Sequence, residues 1–210
     1  MEEQSASLFR VSDGNLLIGS VRETITKYLE TISIITPPII LADRRFEEKL
    51  GCFVTLKVDD EEKTLRGCIG FSEPIYKLSR ALPESAVSAA TQDPRFQPLQ
   101  KASELDSLLT EVSILTKPTQ VTVQSPKEIP KQIKIGKDGL IMKWSFGAGL
   151  LLPQVATEFK WGPEEFLTNL SMKAGAPPDQ WLVPGTIIYK FQAQVFEETS
   201  PKGRVILAED

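Results

Sequence analysis

The chain contains no histidine. Ser-His-Asp and Cys-His catalysis are therefore closed to it, and the commonest transition-metal ligand is missing. Its only thiols are Cys52 and Cys68. A structural zinc site cannot be built from Cys and His within one such chain, so the only metal left open is a hard cation held by carboxylates. No apolar run reaches the length of a membrane span. Lys and Arg form no basic run, and the formal charge of -4 argues against unaided nucleic-acid binding. The acidic start, Met1-Glu2-Glu3-Gln4, is followed by no apolar core of signal-peptide length, which predicts a cytoplasmic protein.

What is present suits a globular fold. With 210 residues, 41% hydrophobic and 25% charged, the chain can bury a core as one large domain or as two small lobes. It shows no internal repeat and no low-complexity segment.

The most site-like stretch is Leu65-Arg66-Gly67-Cys68-Ile69-Gly70. In a strand, residues two apart share a face, so Arg66 and Cys68 are expected to project together. A neighbouring cation is one of the few things that turns a thiol into a reactive thiolate. Gly67 and Gly70 remove side-chain bulk, as close approach by a ligand or another backbone requires.

Along the chain, Ser12 and Asp13 are read as caps of a first helix with Leu17, Val21, Ile25, Tyr28 and Leu29 at helical spacing, ending near Thr36-Pro37-Pro38. A short element follows around Leu41 to Leu50. Gly51 to Lys57 and Lys63 to Phe71 read as a hairpin about an acidic tip. Pairing Leu56 with Leu65 and Val54 with Gly67 puts Val54, Leu56, Leu65 and Ile69 on one apolar face and Arg66 and Cys68 on the other. The rival register sets Cys52 across from Cys68 but mixes Arg66 into the apolar face, so the first is preferred and Cys52 becomes a core residue.

Pro74 is expected to open a helix bearing Ile75, Leu78, Leu82, Ala86 and Ala89, which Pro83 should kink or restart. It should end at Asp93-Pro94-Arg95-Phe96. Glu111 to Leu115 reads as a short strand beginning with a carboxylate, Thr119 to Val123 as its extension or another strand, and Lys127 to Lys134 as a connector. Ile133 to Ile135, Gly139 to Trp144 and Leu150 to Leu152 are predicted strands separated by glycine turns, including Phe146-Gly147-Ala148-Gly149. Helices are predicted from Pro153 through Phe159 and from Gly162-Pro163 to Lys173. Thr186 to Glu197 is predicted as one long closing strand, with a loose tail after Thr199.

Taken in order, the blocks L-R-G-C-I-G at Leu65 to Gly70, D-P-R-F at Asp93 to Phe96, E-V-S-I-L at Glu111 to Leu115, G-K-D-G-L-I at Gly136 to Ile141, L-L-L-P-Q-V-A at Leu150 to Ala156 and the stretch Trp161 to Gly175 resemble the AMMECR-type proteins. The resemblance spans roughly Leu16 to Glu198. It implies an α+β protein with mixed or antiparallel sheets flanked by helices, in a larger lobe of about 1–125 plus 185–210 and a smaller one of about 126–184, with a cleft between them near the L-R-G-C-I-G segment. It also implies an intracellular protein with Memo-type and radical-SAM proteins as partners. It supplies neither a reaction nor a cofactor, and the sequence does not set the oligomeric state. Relatives often carry a cysteine where this chain has Ser171, so a mechanism that needs a second thiol there would not work here.

Each candidate residue has two readings. Cys68 is a nucleophile or redox centre, or a small buried hydrophobe in a glycine-rich strand. Arg66 pairs with Glu111 as structural glue, or grips an anionic ligand, which its bidentate geometry favours. Glu111 is a general base or orienting group, or a solvated strand end. Arg95, beside Asp93, reads first as turn and helix stop, and Asp138 as turn chemistry, with ligand contact as the sharper reading of Arg95 and Asp138. Gln154, at a helix start, is placed to reach a ligand. The expected function is an enzyme or enzyme-like protein handling a small anionic or carbonyl-bearing ligand through Arg66, Cys68 and Glu111. Its rival is a non-catalytic adaptor or regulatory module that binds a partner protein through the same cleft.

Overall fold

The structure, a computed structural model, describes residues 9–208. The acidic start, Met1 to Gln4, lies outside them. The chain divides into two compact units, one reaching to Leu115 and resuming at Gln194, the other formed by residues 116–193.

In the first unit α1 (Val11–Thr31) buries Leu17, Ile18, Val21 and Ile25. Its cap is Arg10 rather than Ser12 or Asp13. The Asp13 carboxylate works from inside the first turn, accepting the Arg10 N–H at 2.7 Å and pairing with Arg45. The helix stops at Ile32, in the left-handed region at φ 58°, whose N–H donates to the Tyr28 carbonyl. After α2 (Pro38–Ala42) and a 3-10 turn over Arg44–Glu47 comes the hairpin of β1 (Cys52–Val58) and β2 (Leu65–Phe71).

The hairpin's register differs from both expected ones. Val54 faces Ile69 and Leu56 faces Gly67, but Lys57 faces Leu65, so Arg66 is an extra residue, a bulge. Leu65 therefore shares the face of Lys57 instead of joining Val54 and Leu56, and the simple two-residue alternation from Arg66 to Cys68 is broken. Cys52 is fully buried and Cys68 half-buried, each a free thiol.

α3 (Leu78–Thr91) begins after Ile75, which is exposed. Pro83 neither kinks it into two elements nor restarts it. The proline has no N–H for the Ser79 carbonyl four residues back, and that carbonyl accepts the Thr36 hydroxyl instead, at 3.3 Å. After α4 (Ala102–Leu105), β3 (Leu108–Leu115) starts three residues earlier than predicted, which puts Glu111 inside the strand rather than at its end.

The closing strand is two strands: β7 (Ile187–Phe191) in the second unit's sheet and β8 (Ala193–Glu198) in the first's, broken at Gln192. Period-two alternation runs through the break, so the pattern alone could not reveal it. The tail is not loose, because β9 (Val205–Leu207) pairs antiparallel with β8. The first unit's sheet has the order β2-β1-β3-β8-β9, which leaves β2 as an edge strand. Its core joins α1, α3 and one sheet face, with Gly14 lying so close under the Phe196 ring that a methyl there would meet it.

The second unit carries β4 (Thr119–Gln120), β5 (Gly139–Trp144) and β6 (Gly147–Leu151), ordered β4-β7-β5-β6 and antiparallel throughout. Ile133 to Ile135 is not a strand but the link from a 3-10 segment over Pro126–Gln132 into the turn ahead of Asp138. The glycine-rich stretch predicted as a turn is mostly strand, since Trp144 pairs with Gly147 across a two-residue loop. Gly149 packs on the Ala174 backbone, where a side chain would not fit. α5 (Pro153–Glu158) and α6 (Pro163–Lys173) start on prolines as predicted, and Phe166, Leu167 and Leu170 join Leu140, Met142 and Ile188 in this unit's core. The protein is thus α+β. Among the described residues no helix is long and apolar enough to cross a membrane.

Candidate functional site

An edge strand exposes unpaired backbone groups that must find partners or water. On β2, Cys68 faces Thr55 in the register, and its own peptide groups turn outward to the Asp93-Pro94-Arg95 turn. The Cys68 N–H donates to an Asp93 carboxylate oxygen at 2.9 Å, and the Cys68 carbonyl accepts from the Arg95 guanidinium at 3.3 Å. The two residues are locked together in turn, with Arg95 donating twice to Asp93, at 2.9 and 2.7 Å. Asp93 is buried and Arg95 exposed. The Arg95 guanidinium, helped by the N–H groups of Cys68 and Arg95, holds the Asp93 carboxyl far below the usual carboxylate range, against the opposing effect of its burial. Arg95 is in turn raised, chiefly by Asp93, with Cys68 a lesser contributor.

The thiol itself lies on the face of β2 that carries Thr55 and Glu111, which follow in line on β1 and β3. The Thr55 hydroxyl donates to the Cys68 sulfur at 3.4 Å. Glu111 is ion-paired with Lys57 on the neighbouring strand, not with Arg66. Its carboxylate is thus an oriented group already bound to an ammonium. Arg66, displaced by the bulge, donates to the Gln97 carbonyl at 2.6 Å and adds to the forces that lower Glu104, after the Gln100 and Lys101 N–H groups.

Both glycines of the motif face protein. A methyl on Gly67 would run into the Ala89 carbonyl of α3, and one on Gly70 into the Cys52 carbonyl. They permit close packing and leave no room for a ligand at their own Cα atoms. Cys52 is sealed in the core against Ser85, and burial pushes its thiol up to about 12.

Asp138 and Gln154 belong to the second unit. Asp138 is buried and fully engaged, accepting from the Lys134 N–H at 2.9 Å and the Gln192 amide at 3.1 Å, and it fixes the turn ahead of β5. Gln154 is exposed in the first turn of α5. Ser171 is buried and bonded back to the Leu167 carbonyl. Among the described residues no group of three or more His, Cys, Asp or Glu side chains is placed to hold a metal ion.

Three residues around Cys68 escaped the sequence reading in their actual roles: Thr55, Lys57 and Asp93. Thr55 and Lys57 alternate with Val54 and Leu56, so their shared face with Cys68 was readable once the hairpin was paired. The clamp by Asp93 joins residues 25 apart and has no local signature.

The AMMECR1 family model matches residues 18–196. A protein of Methanocaldococcus jannaschii is 49% identical over 199 residues, covering 95% of this chain and 96% of its own. One of Methanopyrus kandleri is 47% identical over 199 residues, with 93% of each chain covered. The crystal structure of an uncharacterised protein from Pyrococcus horikoshii superimposes with a TM-score of 0.84 at 42% identity, spanning 97% of this chain and all of that one.

Proposed function

Starting from a chain that belongs to the AMMECR1 family, we propose that it acts on a small anionic or carbonyl-bearing ligand through Cys68 at the clamped edge of β2. The observation that carries this reading is the double clamp. Both peptide groups of Cys68 are held by Asp93 and Arg95, so a half-buried cysteine is fixed in place by an ion pair between a buried carboxylate and an exposed guanidinium rather than left on a fraying edge. The Thr55 hydroxyl donates a hydrogen bond to the sulfur and orients it, a role in which no histidine is needed.

In the step this supports, the thiol proton leaves to solvent and sulfur forms a bond to the ligand's electrophilic carbon. The carbonyl π pair moves onto oxygen, and a guanidinium N–H donates a hydrogen bond to the developing oxyanion. Arg95 is the guanidinium nearest this chemistry by its bond to the Cys68 carbonyl, and it serves in place of the expected Arg66. Glu111, held by Lys57, orients the ligand's polar end rather than acting as a free base.

Native alkylation followed by peptide mapping tests the reading. Iodoacetamide should modify one thiol in the folded protein, Cys68, with a rate that falls in Thr55→Val. A screen of small carbonyl electrophiles should then give a covalent adduct at that position. A thiol that reacts only after unfolding ends Cys68 as a nucleophile.

A further inference from the structure

The second unit's sheet also ends on an uncovered strand, and a groove runs beside it. Val121 donates its N–H to the Ile188 carbonyl at 2.9 Å, and Gln120 faces Tyr189. Bonded pairs alternate along an antiparallel ladder, so the backbone groups of Gln120 and Thr122 point away from β7, off the free edge of the sheet. No backbone hydrogen bond reaches Thr122 among the described residues. Alongside lies a groove of about 200 Å³ lined by Val121, Val123, Ile129, Trp181, Val183 and Pro184, with no charged side chain in its lining. Val183 is 45% exposed at its mouth. An extended peptide added to such an edge gains main-chain hydrogen bonds, and every second side chain falls on the groove side.

Charge selects the kind of peptide. Residues 116–193 hold nine lysines and no arginine against six acidic residues, a net of +3 within a chain whose total is -4. Lys117 precedes the strand and Lys127 follows Pro126 of the groove wall. We propose that the β4 edge at Gln120 and Thr122 docks an extended acidic segment of a partner protein, which adds as a strand and seats an aliphatic side chain over Trp181. The groove has room for one or two such side chains, and the lysines near its ends favour Asp or Glu beside them.

The test is selection of random ten-residue peptides displayed on phage against the full chain. The expected winners carry Val, Ile or Leu flanked by Asp or Glu. Synthesised and N-methylated at successive backbone positions, a winner should lose about tenfold in affinity at every second residue, the loss of one or two backbone hydrogen bonds. Thr122→Pro and Val183→Lys, both at exposed positions, should each abolish binding with the circular dichroism unchanged. The N-methyl series on the unaltered protein decides the matter where Thr122→Pro does not fold. The proposal is overturned by failure to enrich, by winners lacking the acidic-aliphatic pattern, by indifference to N-methylation, or by binding that survives both substitutions. Self-association lost in Thr122→Pro, without peptide binding, would make a second copy the occupant and overturn it as well.

Discussion

Asp93 accepts the Cys68 peptide N–H at 2.9 Å while its partner Arg95 donates to the Cys68 carbonyl, so that a turn stands in for the strand β2 lacks on its outer side. A buried carboxylate that binds a peptide N–H directly leaves that N–H orphaned when it is removed. Asp93→Ala should therefore cost about 2 kcal/mol at pH 7, measured by urea unfolding.

The same carboxylate fixes a pH dependence. Its folded pKa is depressed, so its contribution is complete above the unfolded value of about 4 and is lost as pH falls below the usual carboxylate range. Unfolding free energies of the native protein and Asp93→Asn should converge as pH drops from 5 towards 2.5. A gap that stays constant over that range contradicts the ion-pair account.

Gly67 and Gly175 should respond differently to alanine. At Gly67 the new methyl meets the backbone of α3, which cannot swing aside, so the cost should be about 3 kcal/mol. At Gly175 the space is open and only the φ of 72° opposes the change, so about 1 kcal/mol is expected. Parallel thermal melts of the two variants check both values.

Arg22 is the cation that makes the burial of Glu198 tolerable. It donates to the Glu198 carboxylate at 2.8 Å and also to the Leu105 and Leu108 carbonyls, while Glu198 takes the Thr110 N–H. Arg22→Met strands a carboxylate that is 2% exposed and should destabilise by about 3–5 kcal/mol. The double variant with Glu198→Gln should recover part of that loss, which a double-mutant cycle would read directly.

The two thiols should differ sharply. Cys52, buried and pushed up to about 12, should resist maleimide at pH 9 until denaturant is added. Mass spectrometry of the folded protein should show no label there.

Much of the fold was legible because burial and period agree. The hairpin's faces followed from Val54, Leu56 and Ile69, and α6 followed from Pro163 and its apolar stripe. The register was not legible, because the bulge at Arg66 adds one residue beside Gly67, and that glycine reads equally well as room for close backbone approach. Nor was the division of the last strand, since Ile187 to Phe196 alternates without interruption and only the change of sheet partner separates its halves. At the candidate site, Cys68 and Arg95 were named, but the guanidinium bound to the Cys68 backbone is Arg95 and the one displaced by the bulge is Arg66. Long-range contacts of this kind depend on where the turn after α3 lands, and no pattern in residues 65–70 encodes that.

The ends of the second unit lie side by side. The Thr116 N–H donates to the Gln192 carbonyl at 2.8 Å, and the Gln192 N–H returns to the Thr116 hydroxyl at 2.8 Å. β3 and β8, the strands that lead out of and back into the first unit, are neighbours in one sheet. Residues 116–193 are in effect an insertion between adjacent strands, closed at its base like a drawstring. The chain therefore leaves the first unit's sheet and re-enters it at adjacent positions, and residues 116–193 add nothing to the separation of β3 from β8.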